Sequence, residues 1–266
     1  MPLRLDPSFR ERLAASDRSL IGMWACSGSP VVTEVAAGSG LDWLLIDMEH
    51  SAVTLESALL QLQIVAAYPI VPLVRVPSND TVAIKQILDL GAQNLIVPMV
   101  SSVDDALAAV AATRYPPAGV RGVGSALARS ARWNRVDRYL QESAEHTSLT
   151  VQIETAAGVA AAADIAAVDG VDAVFVGPSD LAASMGLLGQ QTHPDVVAAV
   201  EQVFTAVKAA GKPVGVNAFD PVAADAYIAG GADFVAVGAD VALLARASEA
   251  LTARFVAAAG AERASY

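Results

Sequence analysis

A chain of 266 residues with 54% hydrophobic side chains has enough apolar material for one large core, and no run reaches the roughly 18 uninterrupted apolar residues of a membrane span. A formal charge of −11, with no basic run to offset it, argues against nucleic acid and anionic membranes as partners and favours small molecules. Cys26 is the sole cysteine, which excludes an internal disulfide or thiolate metal cluster and reads as a small buried hydrophobe.

The N-terminal stretch MPLRLDPSFRERLAASDRS is charged and lacks an apolar block before a cleavage site, so the expected location is cytoplasmic. Strand-like runs then follow at LIGMW (20–24), WLLID (43–47), VPLVR (71–75), NLIVP (94–98), LTVQIE (149–154), AVFVG (173–177), PVGVN (213–217) and FVAVG (234–238). Helical stretches separate them, with Leu55, Leu59 and Leu62, then Ile84, Ile87 and Leu88, at three- or four-residue spacing. Eight strands alternating with helices predict a (β/α)8 TIM barrel, a single α/β domain over 1–266. The rival, a doubly wound open sheet, would carry a glycine-rich phosphate turn after its first strand, and WACSGSPVV matches GxGxxG poorly.

Four strands are introduced by related phrases, SGLDWLLID, LGAQNLIVP, DGVDAVFVG and GGADFVAVG. Each begins with Gly, a small or apolar residue, then Asp or Gln, which suits a left-handed helix cap followed by a turn into the next strand. Gly91 and Gly211 stand where helices should end. The one long interruption, 99–148, holds a helix near 102–113 and then six arginines, Arg114, Arg121, Arg129, Arg132, Arg135 and Arg138. These either cover the site and attract anionic substrates or form structural ion pairs.

In a TIM barrel the chemistry belongs at the C-terminal strand ends. There the chain places Trp24; Asp47, Glu49 and His50; Arg75; Gln152 and Glu154; Gly177, Pro178, Ser179 and Asp180; and Asn217. Glu154 and Asp180, on successive strands, offer hard oxygen ligands suited to Mg²⁺ or Mn²⁺, against plainer roles as a rim residue and a helix cap. Arg75 can stabilise a developing oxyanion or pair with Glu49 or Asp47. GPSD opens a helix whose free N–H groups suit a carboxylate. His50 alone of three histidines is placed to move protons at the mouth, with Asp47 and Asp89 as candidate partners. The three lysines, Lys85, Lys208 and Lys212, fall on helices or before a strand, which excludes a Schiff-base mechanism in this architecture.

These motifs together resemble the HpcH/HpaI aldolases, metal-dependent pyruvate aldolases acting on 4-hydroxy-2-oxo acids. The resemblance covers about 20–255, through DWLLIDMEHS, PLVRVPSND, IKQILDLGAQNLIVPMV, TRYPPAGVRGVGSALARSARWNR, VQIET, VFVGPSDLAASMG and FVAVGADVALLARA. It implies Glu154 and Asp180 as ligands of a divalent metal (Mg²⁺, Mn²⁺ or Co²⁺) with no organic cofactor. It implies Gln152, Trp24 and the 177–180 turn as substrate contacts, Arg75 as stabiliser of the enolate and aldehyde oxygens, and His50 as proton acceptor. Asp89 occupies the position that raises the basicity of that histidine, Asp47 would orient it, and Glu49 would hold a metal-bound water. The implied reaction is reversible cleavage to pyruvate and an aldehyde through a metal-stabilised pyruvate enolate. A lyase acting on an acyl-CoA thioester, and a non-catalytic barrel that binds 2-oxo acids, are the alternatives. Met48 and SAVTLES depart from the usual pattern beside His50 and, with Val216 and Asn217, bear on which aldehyde is taken. The resemblance further implies a homo-oligomer, a hexamer exchanging C-terminal helices; ALLARASEALTARFVAAA (242–259) is apolar enough for that or for packing on its own barrel.

Overall fold

The apolar runs close into one barrel. The computed structural model describes residues 3–256, in which β1 (Leu20–Ala25), β2 (Trp43–Asp47), β3 (Val71–Arg75), β4 (Asn94–Val97), β5 (Ser148–Ile153), β6 (Ala173–Val176), β7 (Val214–Asn217) and β8 (Phe234–Ala239) pair in parallel and in sequence order. Closure comes from β1 pairing with both β2 and β8. The expected strands lie within one residue of these bounds at either end, and the open-sheet alternative is excluded by the closed order.

Two apolar layers hold the barrel. Outside it, branched side chains of the strands meet helix faces that include Ile84, Ile87 and Leu88, all buried as their spacing predicts. Inside it, Trp43, Phe175 and Phe234 stack with Leu45, Leu73 and Ile96. Such rings fit only because neighbouring strands give way: a Cβ on Gly22 would lie 2.1 Å from the Trp43 ring, and one on Gly215 would lie 2.5 Å from that of Phe234. The charged N-terminal stretch turns out to have a structural task. Its helix Phe9–Ala14, fixed by a capping box between Ser8 and Glu11, sends Phe9 into the barrel floor, 5.2 Å from Phe234 in edge contact. The Phe9 N–H donates to buried Asn94 Oδ1 at 2.7 Å.

The repeated phrases acquire a physical meaning. Their glycines, Gly40, Gly91, Gly170 and Gly231, have φ of 88°, 92°, 101° and 94°, a region that favours glycine. In three phrases the aspartate then grips the preceding strand: Asp42, Asp172 and Asp233 accept the N–H of Ile21, Leu149 and Val214 at 2.7, 2.8 and 2.8 Å. Their own N–H groups donate to the carbonyls of the same three residues.

Residues 99–148 hold the helix Val103–Thr113 and two short turns, Arg129–Ala131 and Tyr139–Glu142, around a small cluster of Tyr115, Ala131, Val136 and Tyr139. The arginines here act structurally within the chain. Arg121 is fully buried and donates to Asp89 at 2.9 Å, Arg114 pairs with Asp169, Arg138 with Glu142, and Arg129 donates to the Leu90 carbonyl. The last helix, Asp240–Phe255, buries only Asp240 and leaves Leu243, Leu244, Leu251 and Phe255 exposed. Of the apolar stretch expected to form it, 257–259 lie outside the described residues. Among the described residues no helix is long and apolar enough to cross a membrane.

Candidate active site

The polar strand ends converge on a cavity of about 590 Å³ at the C-terminal mouth of the barrel. Parallel pairing sets Asp47, the last residue of β2, opposite Arg75, the last of β3. The Arg75 fork therefore meets Asp47 twice, Nε to Oδ1 at 2.8 Å and Nη2 to Oδ2 at 2.9 Å. Nη1 lies 2.9 Å from Glu49 Oε2, and the guanidinium stacks 4.1 Å from the Trp24 ring. Trp24 is itself tethered, since its indole N–H donates to Asn217 Oδ1 at 2.9 Å across the mouth. A cation held by two carboxylates and a ring keeps its position with little freedom to lose on binding.

Asp47 also shapes the chain that leaves β2. It accepts the backbone N–H of Glu49 at 3.0 Å and of His50 at 3.3 Å, which turns the His50 imidazole to the rim. That imidazole is 64% exposed, with Nε2 at 3.9 Å from Glu49 Oε2. Asp47 thus orients His50 through its backbone, while the neighbour of the ring is Glu49. Asp89 does not join them in this chain: it ends the helix Thr81–Asp89, pairs with Arg121, and does not line the cavity.

Two strands along the barrel from Arg75, β5 delivers Gln152 and, just past its end, Glu154. Glu154 is 2% exposed, and its oxygens accept from Met99 N–H at 2.7 Å and from Gln152 Nε2 at 2.6 Å. The Met99 backbone is left-handed at φ 57°, a conformation of modest cost that aims its N–H at the carboxylate. Gly177 leaves the space: a Cβ there would lie 2.7 Å from Glu154 Oε2 and 2.8 Å from Gln152 Nε2. Burial pushes the Glu154 carboxyl up to about 7; Met99 opposes this, and the charges of Glu49 and Asp180 add to it. Burial likewise raises Glu49, against the pull of Arg75. Asp180 sits in the first turn of the helix Pro178–Ser184, which starts directly after β6.

The donor set fits a hard divalent cation. Glu154 and Asp180 are close enough for their charges to oppose each other, and the buried oxygen Oε1 of Gln152 has no hydrogen-bond partner among the described residues. Among the described residues no three His, Cys, Asp or Glu side chains form a metal cluster. Two carboxylates would leave the other positions to water and substrate, as Mg²⁺ commonly does.

Cys26 lines the cavity half-buried, with Sγ 3.8 Å from Asp47 Oδ2, and burial pushes its thiol up to about 12. It is therefore an inert wall. Sequence reasoning missed the outer wall formed by Gln191, Thr192, Phe219, Asp220 and Tyr227. Only Asp220 carried a signal, an N-cap before Pro221 just beyond a strand end, where its side chain accepts the Ala223 N–H. Lys85 and Lys208 lie on outer helices, and Lys212 donates to the Val171 carbonyl, so none reaches the cavity.

A family model described as HpcH/HpaI aldolase/citrate lyase matches residues 20–247. A 4-hydroxy-2-oxo-heptane-1,7-dioate aldolase of Salmonella arizonae is 51% identical over 248 residues, 93% of this chain and 94% of its own. The protein of that name from Salmonella typhi is 50% identical with the same coverage. The crystal structure of a HpcH/HpaI aldolase/citrate lyase family protein from Burkholderia cenocepacia J2315 aligns with a TM-score of 0.88 and 41% identity, over 92% of this chain and 97% of that one. The chain belongs to the HpcH/HpaI aldolase/citrate lyase family and is a carbon–carbon lyase.

Proposed function

We propose that this protein is a divalent-metal-dependent pyruvate aldolase, cleaving 4-hydroxy-2-oxo acids reversibly to pyruvate and an aldehyde. The observation that carries the proposal is the meeting in one cavity of a preorganised cation, Arg75, with Gln152 and Asp180, Gln152 being bonded to the buried carboxylate of Glu154. Relatives named for such a substrate, at 50–51% identity, support it.

Glu154 and Asp180 would hold Mg²⁺, Mn²⁺ or Co²⁺, which supplies positive charge at the keto oxygen and makes the neighbouring carbon able to accept an electron pair. The chain's own groups do the rest. The N–H groups of Ser179 and Asp180, in the first turn after Gly177, suit the substrate carboxylate. His50 takes the C4 hydroxyl proton, directly or through water. The C3–C4 bond then breaks, its electrons pass to the pyruvate fragment, the aldehyde leaves, and C3 regains a proton. Arg75 retains N–H groups beyond those given to Asp47 and Glu49, and these stabilise the oxygen where charge develops. In this proposal Asp89 raises the basicity of His50 from a neighbouring copy in a homo-oligomer, because within one chain it does not line the cavity that His50 borders.

Deuterium exchange of the pyruvate methyl group in D₂O, followed by proton NMR, tests the reading without any choice of aldehyde. Metal-stripped protein should be inactive, Mg²⁺ or Mn²⁺ should restore exchange, and Arg75→Ala should lower it by about 100-fold or more. A protein that binds pyruvate and cation yet exchanges nothing would sink the proposal.

A further inference from the structure

The Trp24 ring lies against the Arg75 guanidinium, and its orientation is fixed from across the barrel mouth. Trp24 stands on β1 and Asn217 ends β7, with β8 between them in the closed order. The interior residues of β8 at that level are Ala236, paired with Asn217, and Ala239, paired with Trp24, both small enough for a side-chain bond to pass over them. The indole N–H therefore reaches Asn217 Oδ1 at 2.9 Å. Trp24 is 6% exposed, so an N–H left without this acceptor would be costly, and the bond selects one rotation of the ring. In that rotation the ring packs on Phe175, centroids 6.3 Å apart, and presents its face to the Arg75 guanidinium at 4.1 Å. Asp47 and Glu49 hold the same guanidinium through its N–H groups, which fixes its plane and leaves its face to the ring.

We infer that Asn217 is a positioning residue for the reaction: by holding the Trp24 indole it keeps the ring on the face of Arg75, and so keeps that cation shielded from water and aimed at the oxygen where charge develops. This rests on the aldolase reading and deepens it. A ring on the guanidinium face excludes water, which strengthens the N–H groups toward a forming oxyanion and spares the reorganisation that a hydrated cation would need. Arg75 is accordingly buried. Charge grows on that oxygen as the C3–C4 bond breaks, so release of the ring weakens turnover more than the binding of pyruvate. Asn217 thus acts on the pyruvate half of the reaction through Trp24, a role distinct from a direct contact with the aldehyde at the same cavity wall.

The test is deuterium exchange of the pyruvate methyl group with the Mg²⁺-loaded enzyme, which needs no aldehyde. Asn217→Leu, of similar size and without an acceptor, should lower the kcat of exchange about tenfold while KM for pyruvate stays within about threefold. Asn217→Asp keeps the acceptor and should restore most of that loss. In a Trp24→Phe background, where no N–H remains to be held, Asn217→Leu should lower kcat by less than about twofold more. Circular dichroism and Mg²⁺ affinity are measured on every variant, and Asn217→Ser, too short to reach the indole, replaces Asn217→Leu should the latter not fold. Exchange at the wild-type rate in Asn217→Leu, with only aldehyde addition altered, overturns the inference and makes Asn217 an aldehyde contact. An equal loss in the wild-type and Trp24→Phe backgrounds overturns the route through the indole, as does a loss that Asn217→Asp fails to restore. A wild type that exchanges nothing counts against the aldolase reading itself and takes the inference with it.

Discussion

Glu154 is asked to be ionised in a place that resists ionisation. It lies almost wholly out of water, near other carboxylates, and burial raises it from 4.5 to about 7. In metal-free protein the folded state therefore keeps a proton that the unfolded chain has released between those values. The stability due to Glu154 is full below pH 4.5 and is lost as pH rises through about 7, by up to about 3 kcal/mol. Melting temperatures of metal-stripped wild type and Glu154→Gln, taken from pH 4.5 to 8, should diverge in slope, with the wild type losing more. Parallel curves would refute the assignment. Added Mg²⁺ should bind more tightly as pH rises across the same window, because binding expels that proton. Residues of this kind were visible in the sequence because strand ends mark the mouth of a barrel. The Met99 N–H, supplied by left-handed backbone outside any strand, was not: nothing about a methionine between Pro98 and Val100 announces it.

At the level of elements, the phrase Gly–x–Asp is a device rather than a spacer. The glycine turns the chain out of a helix, and the aspartate grips the preceding strand at two points, through its carboxylate and its own N–H. This happens before β2, β6 and β8, whereas Gln93 before β4 donates to the Asp6 carbonyl instead. The repeat was readable as a turn, since glycine and a polar residue punctuate any chain. Its grip was not, because the partner lies one strand back and the pairing is spatial. Asp233→Ala removes the acceptor of the Val214 N–H and should cost about 1–3 kcal/mol in denaturant unfolding. The kcat should stay within about twofold, since these aspartates sit at the barrel end opposite the cavity. A large fall in kcat at unchanged stability would contradict a purely structural role for the grip. The interior is less forgiving: Gly215→Ala would drive a methyl group against the Phe234 ring, an overpacking that costs about 1–3 kcal/mol.

The whole molecule is a closed barrel with one element unaccounted for. Seven of the eight strands are followed by helices or loops that pack back on the barrel, but the sixteen-residue helix Asp240–Phe255 leaves its leucines in solvent. Helical period and composition made the helix evident in the sequence, yet neither could say which surface it covers. In the proposed homo-oligomer that surface belongs to another copy. Wild type should then elute well above the 27.2 kDa chain mass in size-exclusion with light scattering. Leu244→Glu should shift the protein towards monomer while leaving its far-ultraviolet dichroism intact. A wild type that elutes as a monomer would rule out burial of these leucines between copies.

That exposed helix ties each molecule's durability to how many others surround it. If association buries the leucines only in the folded state, mass action adds to stability in proportion to RT times the logarithm of protein concentration. A tenfold dilution then weakens the fold by about 1.4 kcal/mol for each mole of partner site vacated. The same chain would be robust in a concentrated solution and fragile at assay dilution.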